Sequence, residues 1–447
     1  MTTFRHSTAP AAAGQPARHA LFKDRNFNWL LTGALLSMLG DQFTFVALPW
    51  LVLKMSGDPL VLGTVMAMIG VPRAAFLLIG GALVDRHSPK QVMMVTKYAN
   101  TVLLGALAAL VWTGTLTLPL LYALSLGIGL ATAFSVPAGS SMLPRVVAPA
   151  QLAAANGLML GLRQATFFLG PLLAGLLFAL SSGEAPAPGQ IADAGALTVA
   201  FGFDALTFIV SAWTLSKVVQ RPLAAQTQAG QAVLAAVAEG LRTFWRDVPL
   251  RSCLLYWSAV ALLITGPIQI ALPLLADSVP TLGAAALGTM LAAHGGGTLL
   301  GMAVAGKHPT WRLKNLGLTI LAVDALVALL FMPIGLITAS WQGAGLLLLI
   351  GVLGGFMQVA VFTWIQRRVA PAMLGRAMSL FMFIFLGLAP LSSAVTGWLM
   401  RDIALPHLFV GSGACLLAIV ALALAGPRMR QVTDTPNPAP GDKPQEA

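Results

Sequence analysis

Residues Tyr98–Pro144 read YANTVLLGALAALVWTGTLTLPLLYALSLGIGLATAFSVPAGSSMLP and contain no Lys, Arg, Asp, Glu or His. A helix that crosses the hydrocarbon core of a bilayer needs about 20 residues. The stretch is therefore long enough for two membrane spans, and Gly114–Thr117 is predicted to form the turn between them. The whole chain has this character, since 57% of its 447 residues are hydrophobic, 9% are charged and the mean hydropathy is +0.83. These values predict an integral membrane protein.

The hydropathy of the chain predicts an all-α polytopic membrane protein with twelve transmembrane helices. The predicted spans lie near residues 27–53, 60–84, 92–113, 117–141, 153–181, 195–216, 251–275, 284–306, 315–335, 341–365, 375–399 and 405–426. The flanking segments 1–26 and 427–447 carry many Ala, Pro and polar residues, so we expect them to form a disordered arm and a disordered tail.

The positive charges predict how the chain is oriented. Of the 26 Lys and Arg residues, 22 are counted in the terminal segments or in the connections on the same side as the termini. Lys54 and Arg401 fall on the other side, and Arg73 and Arg163 fall within spans. Since connections rich in Lys and Arg remain in the cytoplasm, both termini are expected there. The net charge of +11 then reflects topology and gives no support for nucleic-acid binding.

The chain contains an internal repeat. LGTVMAMIG at Leu62–Gly70 is similar to LGTMLAAHG at Leu287–Gly295, and VALPWL at Val46–Leu51 is similar to IALPLL at Ile270–Leu275. The offsets of 225 and 224 residues are half the chain length, so six spans have been duplicated. Both halves have an even number of spans and are therefore parallel, related by an axis along the membrane normal, with a substrate site expected at their interface.

The repeat divides the chain into an N-terminal six-helix half, 27–216, and a C-terminal six-helix half, 251–426. The connection between them, 217–250, is predicted to be a cytoplasmic linker. Its segment Val233–Val248, VLAAVAEGLRTFWRDV, has apolar residues at helical spacing and basic residues opposite. This pattern indicates an amphipathic helix lying on the inner leaflet.

The connection between spans two and three carries a charged motif, GGALVDRHSPK at Gly80–Lys90. It resembles GxLxDRxGRK, the signature of this connection in the major facilitator superfamily, which implies a cytoplasmic gate. The matching residues are Gly81, Leu83, Asp85, Arg86 and Lys90. Ser88 and Pro89 stand where the family has Gly and Arg, so one cation of the gate is missing. The alternative is that the basic residues only anchor the loop at the lipid surface.

Two further resemblances favour export. In span five, Gly170, Pro171 and Gly175 of FLGPLLAGLL resemble the GPxxGG element of the family's exporters, with Ala174 in place of one glycine. Three longer segments resemble the branch that contains macrolide-efflux proteins and enterobactin exporters, within a likeness that runs from Phe22 to about Gly426. These segments are Phe134–Leu158, Gly202–Val210 and Gly375–Leu391.

The resemblance implies a monomeric secondary active transporter of the bacterial inner membrane, with the major facilitator fold. Such a protein would export an amphipathic small molecule, for example a drug, an antibiotic such as a macrolide, or a siderophore, by proton antiport with alternating access. Two alternatives of the same fold remain open. One is a flippase for lipid or lysophospholipid, and the other is a proton-coupled uptake transporter.

Four charged residues lie within the predicted spans of the N-terminal half, where each costs a few kcal/mol and marks a functional candidate. They are Asp41, Arg73, Arg163 and Asp204. We interpret them as proton-coupling candidates, with Asp41 binding or releasing a proton as Arg73 approaches or withdraws. A permanent Asp41–Arg73 ion pair that only fixes packing is the alternative, and Asp204 either binds a proton or holds a packing network.

Polar residues in other spans are candidates for the substrate cavity, namely Gln42, Gln269, His294 and Gln358. His294 has the alternative of an ordinary interior histidine, and Asp324 is interpreted as reaching the cytoplasmic end of its span. An enzyme is not favoured, because the six histidines lack metal-ligand spacing and no phosphate-binding loop lies beside a lysine. We expect no cofactor and no metal, and we expect protons, a small-molecule substrate and membrane lipid as partners.

Overall fold

The computed structural model describes a chain in which every regular element is a helix. For residues 77–86 the description covers the backbone alone. The described residues are 21–86, 88–181, 191–221, 242, 245, 247–369, 378, 380–381, 383–384, 386–426, 429 and 432.

Six helices build the N-terminal half. They are α1 (Arg25–Ser56), α2 (Pro59–Arg86), α3 (Pro89–Trp112), α4 (Leu118–Met142), α5 (Leu152–Ser181) and α6 (Ala194–Lys217). The described helices of the C-terminal half are α7 (Val248–Gly266), α8 (Leu272–Ser278), α9 (Ala284–Lys307), α10 (Leu316–Phe331), α11 (Ser340–Arg368), α12 (Ala389–Leu399) and α13 (Leu405–Ala425). A π-helical turn, Pro267–Ala271, joins α7 to α8 within one span, and a 3₁₀ turn, Met332–Leu336, extends α10.

Within the described residues, eleven helical stretches are long and apolar enough to cross a membrane. They confirm eleven of the predicted spans, with ends that agree within three residues. The remaining span, 375–399, falls partly outside the described residues, and α12 is its longest described helix. The amphipathic segment Val233–Val248 and the two terminal segments lie largely outside them as well.

Local sequence explains where the first helices begin and end. The Asp24 carboxylate caps α1 by accepting hydrogen bonds from the backbone N–H groups of Asn26 and Phe27. Gly57 ends this helix at φ 62°, and its N–H donates to the carbonyl of Leu53. Gly114, in the predicted turn after α3, also has a positive φ of 66°. Glycine adopts this conformation without the steric cost of a side chain.

The glycines of the repeated segment lie at the interface between the halves. A Cβ atom on Gly63 would lie 2.9 Å from the carbonyl oxygen of Ser393 and 3.3 Å from Cα of Gly397, both in α12. A Cβ atom on Gly288, which is 225 residues further on, would lie 2.5 Å from Cα of Gly175 in α5. The duplicated glycines therefore allow α2 to pack on α12 and α9 to pack on α5 at backbone distance.

The apolar core divides differently at the two ends of the bundle. We call the end where α1 begins and α6 ends the terminal side, and the other end the opposite side. Towards the opposite side one buried cluster contains residues of both halves, for example Leu51 and Leu197 with Leu275 and Leu287. Towards the terminal side two separate clusters are described, one for each half. Within the described residues, the halves thus pack together on the opposite side and are separate on the terminal side.

The contact between α9 and α11 depends on glycine at Gly355. A side chain there would collide with the backbone carbonyl of Thr298, whereas the adjacent Gly354 is exposed and has open space around it. We expect Gly355→Leu to destabilise the protein by about 3 kcal/mol, because overpacking forces the two helix backbones apart. Thermal unfolding in detergent would show a lower midpoint for this variant, and Gly354→Leu is the matched control. Equal midpoints for the two variants would contradict the prediction.

Candidate proton and substrate site

The structure brings the predicted intramembrane charges of the N-terminal half together. Asp41 of α1 interacts electrostatically with Arg73 of α2 and also with Lys97 of α3. Arg73 is close enough to Arg163 of α5 for their charges to repel, and Asp204 of α6 interacts with Asp41. Five helices therefore contribute one charged side chain each to a single cluster, which we call the charge cluster.

The Asp41 side chain lies in the middle of α1, where its surface is accessible although protein atoms surround it. Charged groups within a membrane face the protein interior or a water-filled cavity, so this exposure indicates an opening in the bundle. No ion pair joins Asp41 to Arg73 among the described residues, in which the ion pairs are Lys54–Asp277 and Arg368–Asp247. The Nε atom of Arg73 is buried without a hydrogen-bond partner. The arginine is thus held near the carboxylate but is not bound to it in this conformation.

Lys97 is a member of the charge cluster that was not predicted from the sequence. It was counted among the basic residues of the connection before span three, although the predicted span 92–113 contains it, and in the structure it lies inside α3 with 8% exposure. Its Nζ donates to the Ser211 hydroxyl at 2.5 Å and lies 5.6 Å from the centre of the Phe208 ring. The Ser211 hydroxyl in turn donates to the carbonyl of Gly33 at 2.6 Å. A lysine whose charge is buried needs such partners and an acid within reach.

Hydrogen bonds from two threonines hold the Asp204 carboxylate in the core. The Thr44 hydroxyl donates to Oδ2 at 2.5 Å, and the Thr207 hydroxyl lies 3.3 Å from Oδ1. A side chain at Gly40 would collide with this group, so glycine lets α1 approach α6 closely. Asp204 is 1% exposed, in contrast to the exposed Asp41.

The span-five motif packs α5 against both halves. Gly170 faces Gln42 of α1, whereas Gly175 faces Gly288 of α9. Pro171 lies inside α5, and its carbonyl oxygen borders the same contact with α9. Helix α5 therefore connects the helix that carries Asp41 to the C-terminal half.

The substrate-cavity candidates lie in α1, the π-helical turn, α9 and α11. Gln42 is buried against α5, and its Oε1 atom lacks a hydrogen-bond partner. Gln269 accepts a hydrogen bond from the Ser393 hydroxyl at 2.8 Å. His294 bonds to the backbone of Leu347, while its Nδ1 atom is buried without a hydrogen-bond partner. Gln358 is half-buried in α11.

The gate motif is described only in part. Gly81, Asp85 and Arg86 belong to the backbone of α2, and their side chains lie outside the description. The Nζ atom of Lys90 donates to the carbonyls of Ser216 and Val218 at 2.9 and 2.7 Å. These carbonyls lie at the end of α6, where a cation is favoured by the helix dipole. Lys90 thus ties α3 to α6 within the N-terminal half.

The acid of the C-terminal half differs from its prediction. Asp324 was expected to reach the cytoplasmic end of its span, but it lies near the middle of α10. It accepts a hydrogen bond from the Tyr256 hydroxyl of α7 at 2.8 Å. This hydrogen bond joins α7 to α10 and gives the half-buried carboxylate a donor.

Sequence comparison with known proteins gives a consistent picture. The model of the Major Facilitator Superfamily matches residues 30–394. An uncharacterised MFS-type transporter, y4rN of Sinorhizobium fredii, is 26% identical over 403 residues, which are 88% of this chain and 94% of that protein. Multidrug efflux pump Tap of Mycolicibacterium fortuitum is 26% identical over 428 residues, which are 90% of this chain and 96% of that protein.

Solved structures share the fold at low sequence identity. A bacterial homolog of the human lysosomal transporter Spinster, inward-facing and occupied, has a TM-score of 0.67 at 14% identity and covers 96% of this chain and 100% of its own. A bacterial homologue of the iron transporter ferroportin, inward-facing, has a TM-score of 0.65 at 18% identity and covers 91% and 100%. The nucleoside transporter NupG has a TM-score of 0.65 at 16% identity and covers 90% and 99%.

Proposed function

The chain belongs to the Major Facilitator Superfamily, and on that premise we propose that it exports an amphipathic small molecule by proton antiport with alternating access. The observation that carries the proposal is the charge cluster around Asp41. An acid that has accessible surface and basic neighbours inside a membrane domain is suited to binding and releasing protons. The similarity to Tap, named a multidrug efflux pump, over most of the chain supports export of a drug-like compound.

In this proposal the terminal side faces the cytoplasm of a bacterium, as the distribution of Lys and Arg predicts. The conformation described is then open to the cytoplasm and closed to the outside. Asp41 releases its proton into this opening, and Lys97 and Arg73 stabilise the carboxylate that remains. Substrate enters from the same side, and the switch of the two halves carries it outward. Asp41 then faces the outside and binds the next proton.

The members of the charge cluster have different tasks in this scheme. Asp204 is tied to Thr44 and Thr207, so it fixes the contact between α1 and α6. Arg163 is exposed, and its positive charge makes the charged form of Arg73 less favourable. The C-terminal half contributes a more apolar surface to the substrate path, with Gln269 and Gln358 as polar contacts.

Inside-out membrane vesicles with an imposed proton gradient test the proposal. The compounds to compare are macrolides, cationic dyes and catecholate siderophores. We expect accumulation of at least one compound by the native protein, and a decrease of about tenfold for Asp41→Asn, because the amide cannot exchange a proton. Asp402→Asn, at an exposed site on the opposite side, is the matched control.

Two results would overturn the proposal. If Asp41→Asn transports as well as the native protein, Asp41 does not couple transport to protons. If the native protein accumulates none of these compounds, export of drug-like molecules is wrong. Lipid flipping in proteoliposomes and uptake in right-side-out vesicles would then be measured instead.

A further inference from the structure

An ion pair connects the two halves on the opposite side of the bundle. The Nζ atom of Lys54, near the end of α1, lies 2.6 Å from Oδ1 of Asp277, near the end of α8. The side chains of Lys54 and Asp277 are 27% and 22% exposed, so the pair is partly shielded from water. Partial burial and a short distance make an ion pair more effective than one that is fully exposed.

Contacts within the N-terminal half hold Lys54 in position. Its ammonium group lies 4.6 Å from the centre of the Trp50 ring, one helical turn earlier in α1. The Trp50 indole N–H donates to the Asp193 carboxylate, directly before α6, at 2.9 Å. Trp50 and Asp193 belong to the same half as Lys54 and hold it in place. Its contact with Asp277 crosses to the other half.

The repeat explains why these two helix ends meet. An offset of 224 residues relates Lys54 to Ser278, the residue next to Asp277. Equivalent helix ends approach each other around the axis that relates parallel halves. The two ends differ in charge, so α1 supplies the cation and α8 supplies the anion. In the sequence Lys54 is conspicuous because it is one of two basic residues predicted on this side of the membrane.

The ion pair lies on the side where the halves are closed. Gly63 packs on Ser393 and Gly397 along one flank, and Gly175 packs on Gly288 along the other. One apolar cluster continues across both halves at this level. An opening on this side therefore separates α1 from α8 and breaks the contact between Lys54 and Asp277.

We propose that Lys54 and Asp277 form a latch that stabilises the conformation closed on the opposite side and that breaks whenever this side opens. The latch requires alternating access, but it requires neither a particular substrate nor proton coupling. Its strength sets how much of the protein is closed on this side at rest. Losing it shifts the resting population towards the conformation open to the outside.

Distances between spin labels test the latch without substrate or gradient. Cysteines replace Thr115, in the exposed turn after α3, and Trp341, which is 73% exposed at the start of α11. The native cysteines are changed to alanine, at Cys253 and Cys415. Pulsed electron paramagnetic resonance of the full chain in lipid nanodiscs then gives the ratio of open to closed molecules. Thermal unfolding of each variant verifies that the bundle remains folded.

Loss of one charge should raise the ratio of open to closed molecules about threefold, in Lys54→Met and in Asp277→Asn. Asp277→Lys should raise the ratio further, because two ammonium groups then repel each other. The exchanged pair, Lys54→Asp with Asp277→Lys, should return at least halfway to the native ratio. Arg401→Met removes an exposed cation on the same side and should leave the ratio unchanged.

The proposal is wrong if the single variants keep the native ratio, or if the exchanged pair opens as much as the single changes combined. Because this measurement uses no substrate, its result is independent of the transport assay with Asp41→Asn. If the spin labels show the latch but the vesicles show no proton-driven export, only the proposed function is wrong. If the vesicles show export but the variants keep the native ratio, only the latch is wrong.

Discussion

Replacing Lys97 with glutamine should lower gradient-driven transport about a hundredfold while leaving the helices folded. Proton release from Asp41 leaves a carboxylate within the membrane, and Lys97 and Arg73 are its counter-charges in the charge cluster. Arg73 stays near the carboxylate but forms no ion pair with it among the described residues, so Lys97→Gln leaves this charge unpaired. An unpaired charge at mid-membrane costs about 3 kcal/mol on insertion scales, which corresponds to about a hundredfold in rate. Transport into inside-out vesicles measures the loss, with the compound that the native protein accumulates.

A double variant distinguishes a role in coupling from a general defect. If Lys97 acts through Asp41, then Asp41→Asn combined with Lys97→Gln should transport about as well as Asp41→Asn alone, because no carboxylate then needs the lysine. Lys217→Gln is the matched control, since Lys217 is an exposed lysine at the end of α6. Native transport by Lys97→Gln would show that the lysine has no part in coupling.

Much of the fold could be predicted because bilayer thickness restricts how the chain can fold. Eleven predicted spans agree with the helices within three residues, since hydropathy alone marks where a helix enters and leaves the membrane. The turn at Gly114–Thr117 was predicted because the uncharged run is long enough for two spans, and the positive φ of Gly114 fits a turn. The repeat was informative because duplicated glycines such as Gly63 and Gly288 allow close helix packing against the other half in both copies.

The partners of the polar residues could not be predicted in the same way. Lys97 lies eight residues after the start of α3. A cation this close to the end of a span lowers the local hydropathy, as the charged residues of a connection do. Its place in the core depends on Ser211, which is 114 residues away in the sequence. Asp324 likewise depends on Tyr256 of another helix, and nothing in the local sequence of either residue indicates that pair.

Replacing Gly295 with leucine should abolish transport. A side chain at this position would collide with the backbone carbonyl of Phe167 and would lie 3.0 Å from Cα of Phe168, both in α5. Gly295 belongs to α9, so the added side chain would force the two halves apart in the middle of their interface. Packed helices cannot absorb such an overlap without moving. The same vesicle assay should then show no gradient-dependent accumulation.

We expect Gly295→Leu to abolish transport by blocking movement between the halves and not by unfolding the protein, because of where this glycine lies. Gly70, its equivalent in the repeat, packs on Pro390 of α12, so both ends of the repeated segment meet the other half. Each half keeps its own apolar cluster on the terminal side, and Gly295→Leu should therefore remain folded and monodisperse in detergent. Gly306→Leu on the same helix is the control, because Gly306 has open space around it. If Gly295→Leu transports like Gly306→Leu, close backbone contact between α5 and α9 is not required for the conformational switch.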